Sequence, residues 1–223
     1  MAAAEWIVFD AYGTLFDLEA SVRRGDRARA LPAGFAAQWR AKQLEYTWMA
    51  QAMGAYRDFW TLTSAALEWT ISALGASGAP REELMDVYLR LEPYPEVGEA
   101  LRALAGSGAR LAVLSNGTTA MLDAALGAAR LAPLLDIVIS VDEIGVYKPD
   151  QRVYRHAAQR LGVPAGQIRF VSANPWDAAG AQRCGLHVVW VNRHGAPPEY
   201  DLAAAVLEVA DLHGVRDSDP PAP

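Results

Sequence analysis

The sequence has few of the residues and patterns that mark several classes of protein. Its 223 residues include one cysteine, Cys184, which excludes an intrachain disulfide framework and a cysteine-cluster metal site. A glycine-rich phosphate-binding loop is missing. Basic residues are outnumbered by acidic ones, 20 against 26, and they form no run. The formal net charge of −6 therefore gives no reason to expect nucleic acid as a partner.

Long hydrophobic runs are missing too. No stretch approaches the roughly 18 consecutive apolar residues of a membrane-spanning helix. The first residues, MAAAEWIVFDAYG, have no basic segment, and their apolar stretch is too short for a signal peptide. We therefore expect a cytoplasmic protein that does not bind membranes.

The sequence does contain short apolar runs that alternate with helical patterns. Five of these runs predict strands covered on both faces: WIVFD (6–10), LAVLS (111–115), DIVIS (136–140), IRFVS (168–172) and HVVWV (187–191). Helical patterns separate the last four runs, and another, VGEALRALAGSG (97–108), precedes the second. This alternation predicts an α/β protein with a mostly parallel, doubly wound sheet.

The interval between the first and second runs is too long for a simple crossover. Its residues 35–53, 56–74 and 80–93 have helical patterns, and the first two are rich in aromatics at three- and four-residue spacing. Pro93 and Pro95 mark the return to the sheet. We therefore expect a helical cap at 17–93, inserted after strand one, and a core built from 1–16 and 94–223.

Polar residues end or follow each of the first four predicted strands. In an open parallel sheet, ligands bind beyond the carboxyl ends of the strands. The residues found there are Asp10 at the end of the first strand, Ser115 and Asn116 at the end of the second, Lys148 after the third, and Ser172, Asn174 and Asp177 at the end of the fourth and beyond it. Together they predict one site that contains a nucleophile, hydroxyls, an ammonium group and a second carboxylate.

The motifs that carry these residues are DAYGTLFD, WRAKQLEYTWM, YRDFW, SNGT, GVYKPD and SANPWDAAGA. Their order resembles the haloacid dehalogenase superfamily over essentially the whole chain, and the L-2-haloacid dehalogenases most. The resemblance implies a Rossmann-like core, a helical cap and a homodimer. It also implies hydrolytic dehalogenation of small (S)-2-haloacids to (R)-2-hydroxyacids and halide.

Two departures from the phosphatase branch of this superfamily bear on metal binding. The phosphatase branch has the motif Asp-x-Asp-Gly-Thr after strand one, but here Tyr12 stands in place of the second aspartate. Its fourth loop usually has adjacent acids for Mg²⁺, whereas Asp177 is the only acid here. We therefore expect no metal and no cofactor. The alternatives are a Mg²⁺-dependent phosphatase of the same fold and a non-catalytic binding module.

The resemblance assigns the chemistry to residues of the predicted site. Asp10 is the expected nucleophile, which displaces halide and forms an ester that water hydrolyses. Lys148 would keep Asp10 charged and oriented, and Thr14 would hydrogen-bond Asp10 or its loop. Asp177 would either activate the water or pair with Lys148.

Other residues are expected to hold water and substrate. Ser172 and Asn174 would position Asp10 and the hydrolytic water. Ser115 and the backbone amides of Ala11 and Tyr12 are suited to bind the substrate carboxylate.

A third group is expected around the halide. Arg40 falls where the family's halide-binding arginine lies, and a weakly hydrated guanidinium suits a soft anion. Asn116 and Trp176 could complete this halide site by N–H donation. Four residues would form an apolar wall that excludes water: Tyr12, Leu44, Phe59 and Trp176. Tyr154 matches a family active-site tyrosine, with core packing as the alternative.

Overall fold

The chain forms a parallel sheet flanked by helices in a computed structural model that describes residues 5–24, 31–202 and 206–216. The strands within these residues are β1 (Trp6–Phe9), β2 (Phe16–Asp17), β3 (Glu92–Pro93), β4 (Arg110–Ser115), β5 (Ile137–Ser140), β6 (Ile168–Ser172), β7 (His187–Val191) and β8 (Leu207–Val209). Six of them form one sheet in the order β5-β4-β1-β6-β7-β8, and every neighbouring pair in it is parallel. The predicted α/β class and doubly wound sheet are confirmed.

Strand β1 lies in the middle of this sheet because it pairs on both sides. Val8 is in register with Ala112 of β4 and with Phe170 of β6, and all four residues of β1 are buried. The five predicted strands are all present. Strand β8 was not predicted, because its Leu207 and Glu208 are exposed and its residues do not form an apolar run.

The interval between β2 and β3 contains the helices α1 (Leu18–Arg23), α2 (Phe35–Ala52), α3 (Phe59–Ala73) and α4 (Arg81–Val87). Strands β2 and β3 pair antiparallel, so the chain leaves and re-enters the sheet domain at one place. Helix α4 is shorter than the predicted 80–93, because the chain turns after Val87 and reaches the strand pairing at Glu92–Pro93.

Helices also connect the strands of the sheet. They are α5 (Val97–Gly106), α6 (Thr119–Ala128), α7 (Gln151–Leu161) and α8 (Pro175–Gln182). Side chains cap two of these helices, since Thr118 accepts from the amide of Met121 and Asp150 accepts from that of Arg152. None of the described helices is long and apolar enough to cross a membrane.

Hydrogen bonds tie the α2–α3 segment to the loop after β5. Gln51 accepts from the amide of Tyr147 at 3.2 Å, and the Tyr147 hydroxyl donates to the carbonyl of Arg57 at 2.6 Å. This loop carries Lys148, so the inserted helices lie directly over the carboxyl ends of the strands.

Candidate active site

Asp10 lies where β1 ends, and the sheet fixes its backbone. Its amide donates to the carbonyl of Val171 at 2.9 Å. The next residues form a tight turn in which Thr14, Leu15 and Phe16 donate to the carbonyl of Ala11. The turn needs Gly13, whose φ of +87° is in the left-handed region. It brings Thr14 back beside Asp10.

Three side chains donate to the carboxylate of Asp10, a residue that is 4% exposed. The Thr14 hydroxyl and the Asn174 amide reach Oδ2 at 3.1 and 2.8 Å, and Lys148 Nζ reaches Oδ1 at 3.1 Å. Asn174 also donates to the carbonyl of Tyr12 at 3.0 Å. The carboxylate is therefore held in one orientation, with its charge balanced by an ammonium group.

Lys148 joins the two carboxylates of the site. Its Nζ lies 2.9 Å from Asp177 Oδ2 as well as 3.1 Å from Asp10, and Asn116 Oδ1 accepts from its amide at 3.0 Å. All three charged side chains are nearly inaccessible to water. A buried ion pair is retained where its partners have good geometry, which a buried ammonium between two carboxylates provides.

Asp177 is fully buried and both its oxygens are bonded. Tyr154 donates to Oδ1 at 2.6 Å, and Lys148 and Ser172 donate to Oδ2 at 2.9 and 3.1 Å. Burial raises the pKa of Asp177 to about 6, against the opposing effect of Lys148. Of the two roles expected for Asp177, the geometry shows pairing with Lys148.

Together these residues form what we call the sheet-side network: Asp10, Thr14, Lys148, Ser172, Asn174 and Asp177. Ser172 has no described hydrogen bond to Asp10; its hydroxyl donates to Asp177 and accepts from the amide of Asn174. Tyr154 also lies behind Asp177, where it packs edge-on against Phe170 with ring centroids 5.7 Å apart. Both residues reach Asp10 only through others.

The residues around Asp10 do not fit Mg²⁺. The Lys148 ammonium occupies the place between the carboxylates of Asp10 and Asp177. Tyr12 supplies no further carboxylate that could serve as a metal ligand. In the described part of the chain, no group of three or more histidine, cysteine, aspartate and glutamate side chains is placed to hold a metal ion. Mg²⁺ prefers several oxygen ligands, and this donor set does not offer them.

Beside the network a cavity of about 490 Å³ opens between α1, α2 and the Asp10 turn. Tyr12, Gly13, Asn174 and Arg40 line it, so it joins the sheet-side network to α2. The amides of Ala11 and Tyr12 have no acceptor among the described hydrogen bonds. They are free to bind an anion near Asp10.

The inserted helices supply the opposite side, which we call the helix-side wall: Arg40, Leu44, Trp48 and Phe59. Arg40 donates to Gln43 at 2.6 Å and lies over the Tyr12 ring, 5.5 Å from its centroid. Phe59 packs on the same ring at 5.5 Å. Half-buried Leu44 is one turn beyond Arg40.

Two further expected residues come from the strand ends. Trp176 crosses from the sheet side to pack edge-on against Trp48, with ring centroids 5.6 Å apart. Ser115 is fully buried at the end of β4, and its oxygen accepts from the amide of Gly117 at 3.1 Å.

Sequence reasoning missed two residues that support the site. Arg193 follows β7 and donates to the carbonyls of Gly13 and Thr14 at 3.2 and 2.9 Å, while Glu96 accepts from it at 2.7 Å. It therefore ties the Asp10 turn to the segment after β7 and to the start of α5. Gln43 accepts from Arg40 and donates to Thr63. The rule of strand ends could have found Arg193, because it lies just beyond a predicted strand.

The chain belongs to the haloacid dehalogenase-like hydrolases, whose sequence model matches residues 4–185. Closer relatives carry a more specific name. The (S)-2-haloacid dehalogenase of Pseudomonas sp. strain YL is 45% identical over 212 residues, which cover 94% of this chain and 91% of that protein. The (S)-2-haloacid dehalogenase 4A of Burkholderia cepacia is 42% identical over 208 residues, which cover 92% and 90%. The family predicted from the motifs is confirmed.

Solved structures give the same result. The structure of L-2-haloacid dehalogenase from Xanthobacter autotrophicus with chloropropionic acid covalently bound has a TM-score of 0.85 to this chain. It is 34% identical, and the alignment covers 96% of this chain and 97% of that one.

Proposed function

We propose that the protein hydrolyses small (S)-2-haloacids to (R)-2-hydroxyacids and halide, through an ester on Asp10. One observation carries the proposal. The Asp10 carboxylate accepts from Lys148, Thr14 and Asn174 while the Lys148 ammonium also pairs with Asp177. An oriented carboxylate of this kind is suited to attack carbon. The relatives named (S)-2-haloacid dehalogenases and the chloropropionic acid bound covalently to a related enzyme support the same chemistry.

The reaction has two steps. In the first, an Asp10 oxygen bonds to the α-carbon, the carbon–halogen bond breaks, and the halide leaves with the electron pair. Attack from the side opposite the halogen inverts the carbon. In the second, water adds to the carboxyl carbon of the Asp10 ester and releases the hydroxyacid. The regenerated Asp10 then contains an oxygen from water.

The sheet-side network prepares both steps. Lys148 balances the charge of Asp10, while Thr14 and Asn174 fix its orientation. We assign to Asn174 the further role of ordering the water. Asp177 and Ser172 act through their neighbours, because Asp177 holds Lys148 and Ser172 holds Asp177.

The substrate lies between the network and the helix-side wall. The unpaired amides of Ala11 and Tyr12 and the hydroxyl of Ser115 bind its carboxylate. Arg40 and Asn116 receive the halide, which leaves without protonation and needs cationic or N–H donors.

Apolar side chains complete the substrate site. The rings of Tyr12, Phe59 and Trp176, with Leu44, exclude water during the displacement. Tyr154 reaches the substrate only through Asp177, so we assign it a positioning role.

The larger organisation follows from the same resemblance. We propose a catalytic core of residues 1–16 and 94–223 with a cap of residues 17–93, working as a cytoplasmic homodimer. The short β2–β3 pairing at the two ends of the helical segment supports this division. Light scattering of the purified protein at several concentrations tests the dimer.

Stereochemistry tests the displacement step. Racemic 2-chloropropionate should stop near half conversion and yield (R)-lactate, measured by halide release and chiral chromatography. Consumption of both enantiomers at similar rates, or (S)-lactate as the product, would contradict backside attack on the (S) substrate.

Isotope transfer tests the ester. In one turnover with enzyme in excess in H₂¹⁸O, the label should enter the peptide that contains Asp10, and the hydroxyacid should stay unlabelled. If a carboxylate instead activates water directly on the substrate, the first product carries the label and the peptide does not.

A further inference from the structure

A hydroxyl beside the nucleophile is buried without a partner. The Tyr12 side chain is 2% exposed, and its Oη forms no hydrogen bond with any described residue. A buried donor that lacks an acceptor destabilises the fold relative to a solvated one. Phenylalanine would fill nearly the same volume without this cost. Packing alone therefore does not account for a tyrosine here.

The surroundings of Tyr12 hold the hydroxyl in one place. Its ring packs against Phe59 and Tyr88, with centroids 5.5 and 5.7 Å away. At the far end the hydroxyl lies against Gly117, where a side-chain carbon would clash with Oη. The hydroxyl thus occupies space that is open only because residue 117 has no side chain.

Two other donors border the same place. Arg40 lies over the Tyr12 ring, with its guanidinium carbon 5.5 Å from the centroid. Asn116 precedes Gly117 and uses its Oδ1 to accept from Lys148, so its amide N–H₂ remains available. Burial raises the pKa of Tyr12, and the phenol therefore stays protonated and able to donate.

We propose that the Tyr12 hydroxyl donates a hydrogen bond to the halogen as it departs, as a third donor beside Arg40 and Asn116. The inference rests on the proposed dehalogenase function. While the Asp10–carbon bond forms and the carbon–halogen bond breaks, the electron pair goes to the halide and Tyr12 keeps its proton. Chloride is smaller and more charge-dense than bromide, so it gains more from a donor. Tyr12 thus favours chlorinated substrates over brominated ones.

The test compares Tyr12→Phe with Tyr147→Phe on (S)-2-chloropropionate and (S)-2-bromopropionate. The measured quantity is kcat/KM, which covers the steps through bond cleavage even when ester hydrolysis limits turnover. Tyr12→Phe should lower kcat/KM by roughly tenfold for the chloro substrate and by about threefold or less for the bromo substrate. Chloride should also inhibit this variant less than the parent.

Tyr147→Phe is the matched control. Tyr147 is as buried as Tyr12 and packs on the same Phe59 ring at 6.2 Å, but its hydroxyl donates to the carbonyl of Arg57. For Tyr147→Phe, the ratio of kcat/KM on the chloro substrate to kcat/KM on the bromo substrate should equal that of the parent. Equal losses on both substrates in Tyr12→Phe, or an unchanged ratio, would overturn the inference.

A second variant covers the case in which Tyr12→Phe does not fold. Gly117→Ala puts a methyl group against Oη, so it should move the hydroxyl and shift the ratio in the same direction. A parental ratio in folded Gly117→Ala would again overturn the inference. If the parent releases no halide from either substrate, the proposed function itself fails, which is a different result from an active parent whose ratio does not depend on Tyr12.

Discussion

The two sides of the candidate site differ in how their polar groups are paired. In the sheet-side network, each side chain has at least one partner within 3.2 Å, and the Lys148 ammonium bonds to both carboxylates. Where the helix-side wall meets the Asp10 turn, the Oη of Tyr12 and the Nε1 of Trp48 are two of only three buried side-chain N or O atoms that lack a partner among the described residues. The reacting group is thus fixed before substrate arrives, while donors remain unpaired where an anion is to leave.

This difference has an energetic side. Removing one member of a buried, paired network leaves a buried polar group without its partner. Removing an unpaired donor costs the fold nothing and affects only the complex with substrate. Substitutions in the network should therefore change stability and chemistry together. Substitutions at the wall should change chemistry alone.

The largest effect is expected from Asp10→Asn. The amide cannot act as a nucleophile, so halide release from (S)-2-chloropropionate should fall by about 10⁴-fold or more. Lys148 keeps Asp177 as a partner, and the variant should therefore fold, which circular dichroism and thermal melting check. Halide release within about a hundredfold of the parent would show that Asp10 is not the nucleophile.

A smaller effect is expected from Arg40→Lys at the helix-side wall. Lysine keeps the charge but loses the planar set of donors, so kcat/KM should fall by roughly a hundredfold with an unchanged melting temperature. Arg23→Lys is the matched control, because Arg23 lines the same cavity but pairs with Glu19 and is exposed. Near-parental rates in Arg40→Lys would remove Arg40 from the halide site.

Sequence reasoning went furthest where apolar runs end in polar residues. Strands β1, β4, β5, β6 and β7 were predicted because burial on both faces demands continuous apolar runs, and the strand ends then pointed to Asp10, Lys148 and Asp177. Strand β8 was not predicted because an exposed edge strand has no such run. The sequence left two roles open for Asp177, activating water or pairing with Lys148. Only its contacts with Tyr154, Lys148 and Ser172 in the structure favour pairing.

The helix-side wall was harder to predict. Arg40 and Gln43 are polar residues on the same helix, α2, and periodicity does not say which of them faces a site and which supports it. Gln43 is fully buried between Arg40 and Thr63. The unpaired state of the Tyr12 hydroxyl depends on side-chain packing around Gly117, which no local pattern contains.

The pH dependence of kcat should reflect the sheet-side network, with a change of about tenfold. Burial raises the pKa of Asp177 to about 6. Below that pH the carboxylate takes up a proton and Lys148 pairs with Asp10 alone, which makes Asp10 a weaker nucleophile. We expect kcat to fall about tenfold in all as the pH drops through 6, measured with chloride release in a constant-ionic-strength buffer. A limb near pH 4 instead would contradict the assignment to Asp177.

Stability gives an independent check on the same group. The pKa of Asp177 is higher in the folded state than its ordinary value of 3.8, so between about pH 4 and pH 6 the folded protein holds a proton that the unfolded chain has lost. The free energy of unfolding therefore declines as pH rises through this window. Asp177→Asn should remove that slope, whereas Asp123→Asn, at an exposed position of α6, should keep it.

The smallest expected effect is that of chelation, which should change nothing. The position between the two carboxylates of the network is filled by Lys148 Nζ, 3.1 Å from Asp10 and 2.9 Å from Asp177, and a divalent cation there would have to displace a buried ammonium group. EDTA should therefore leave kcat and KM for (S)-2-chloropropionate at their parental values, and added Mg²⁺ should not raise them. A Mg²⁺-dependent phosphatase assayed in the same buffer shows that the chelator works. Loss of most turnover with EDTA, restored by Mg²⁺, would mean that the enzyme depends on a metal ion in addition to Lys148. The Mg²⁺-dependent phosphatase would then again be the favoured function.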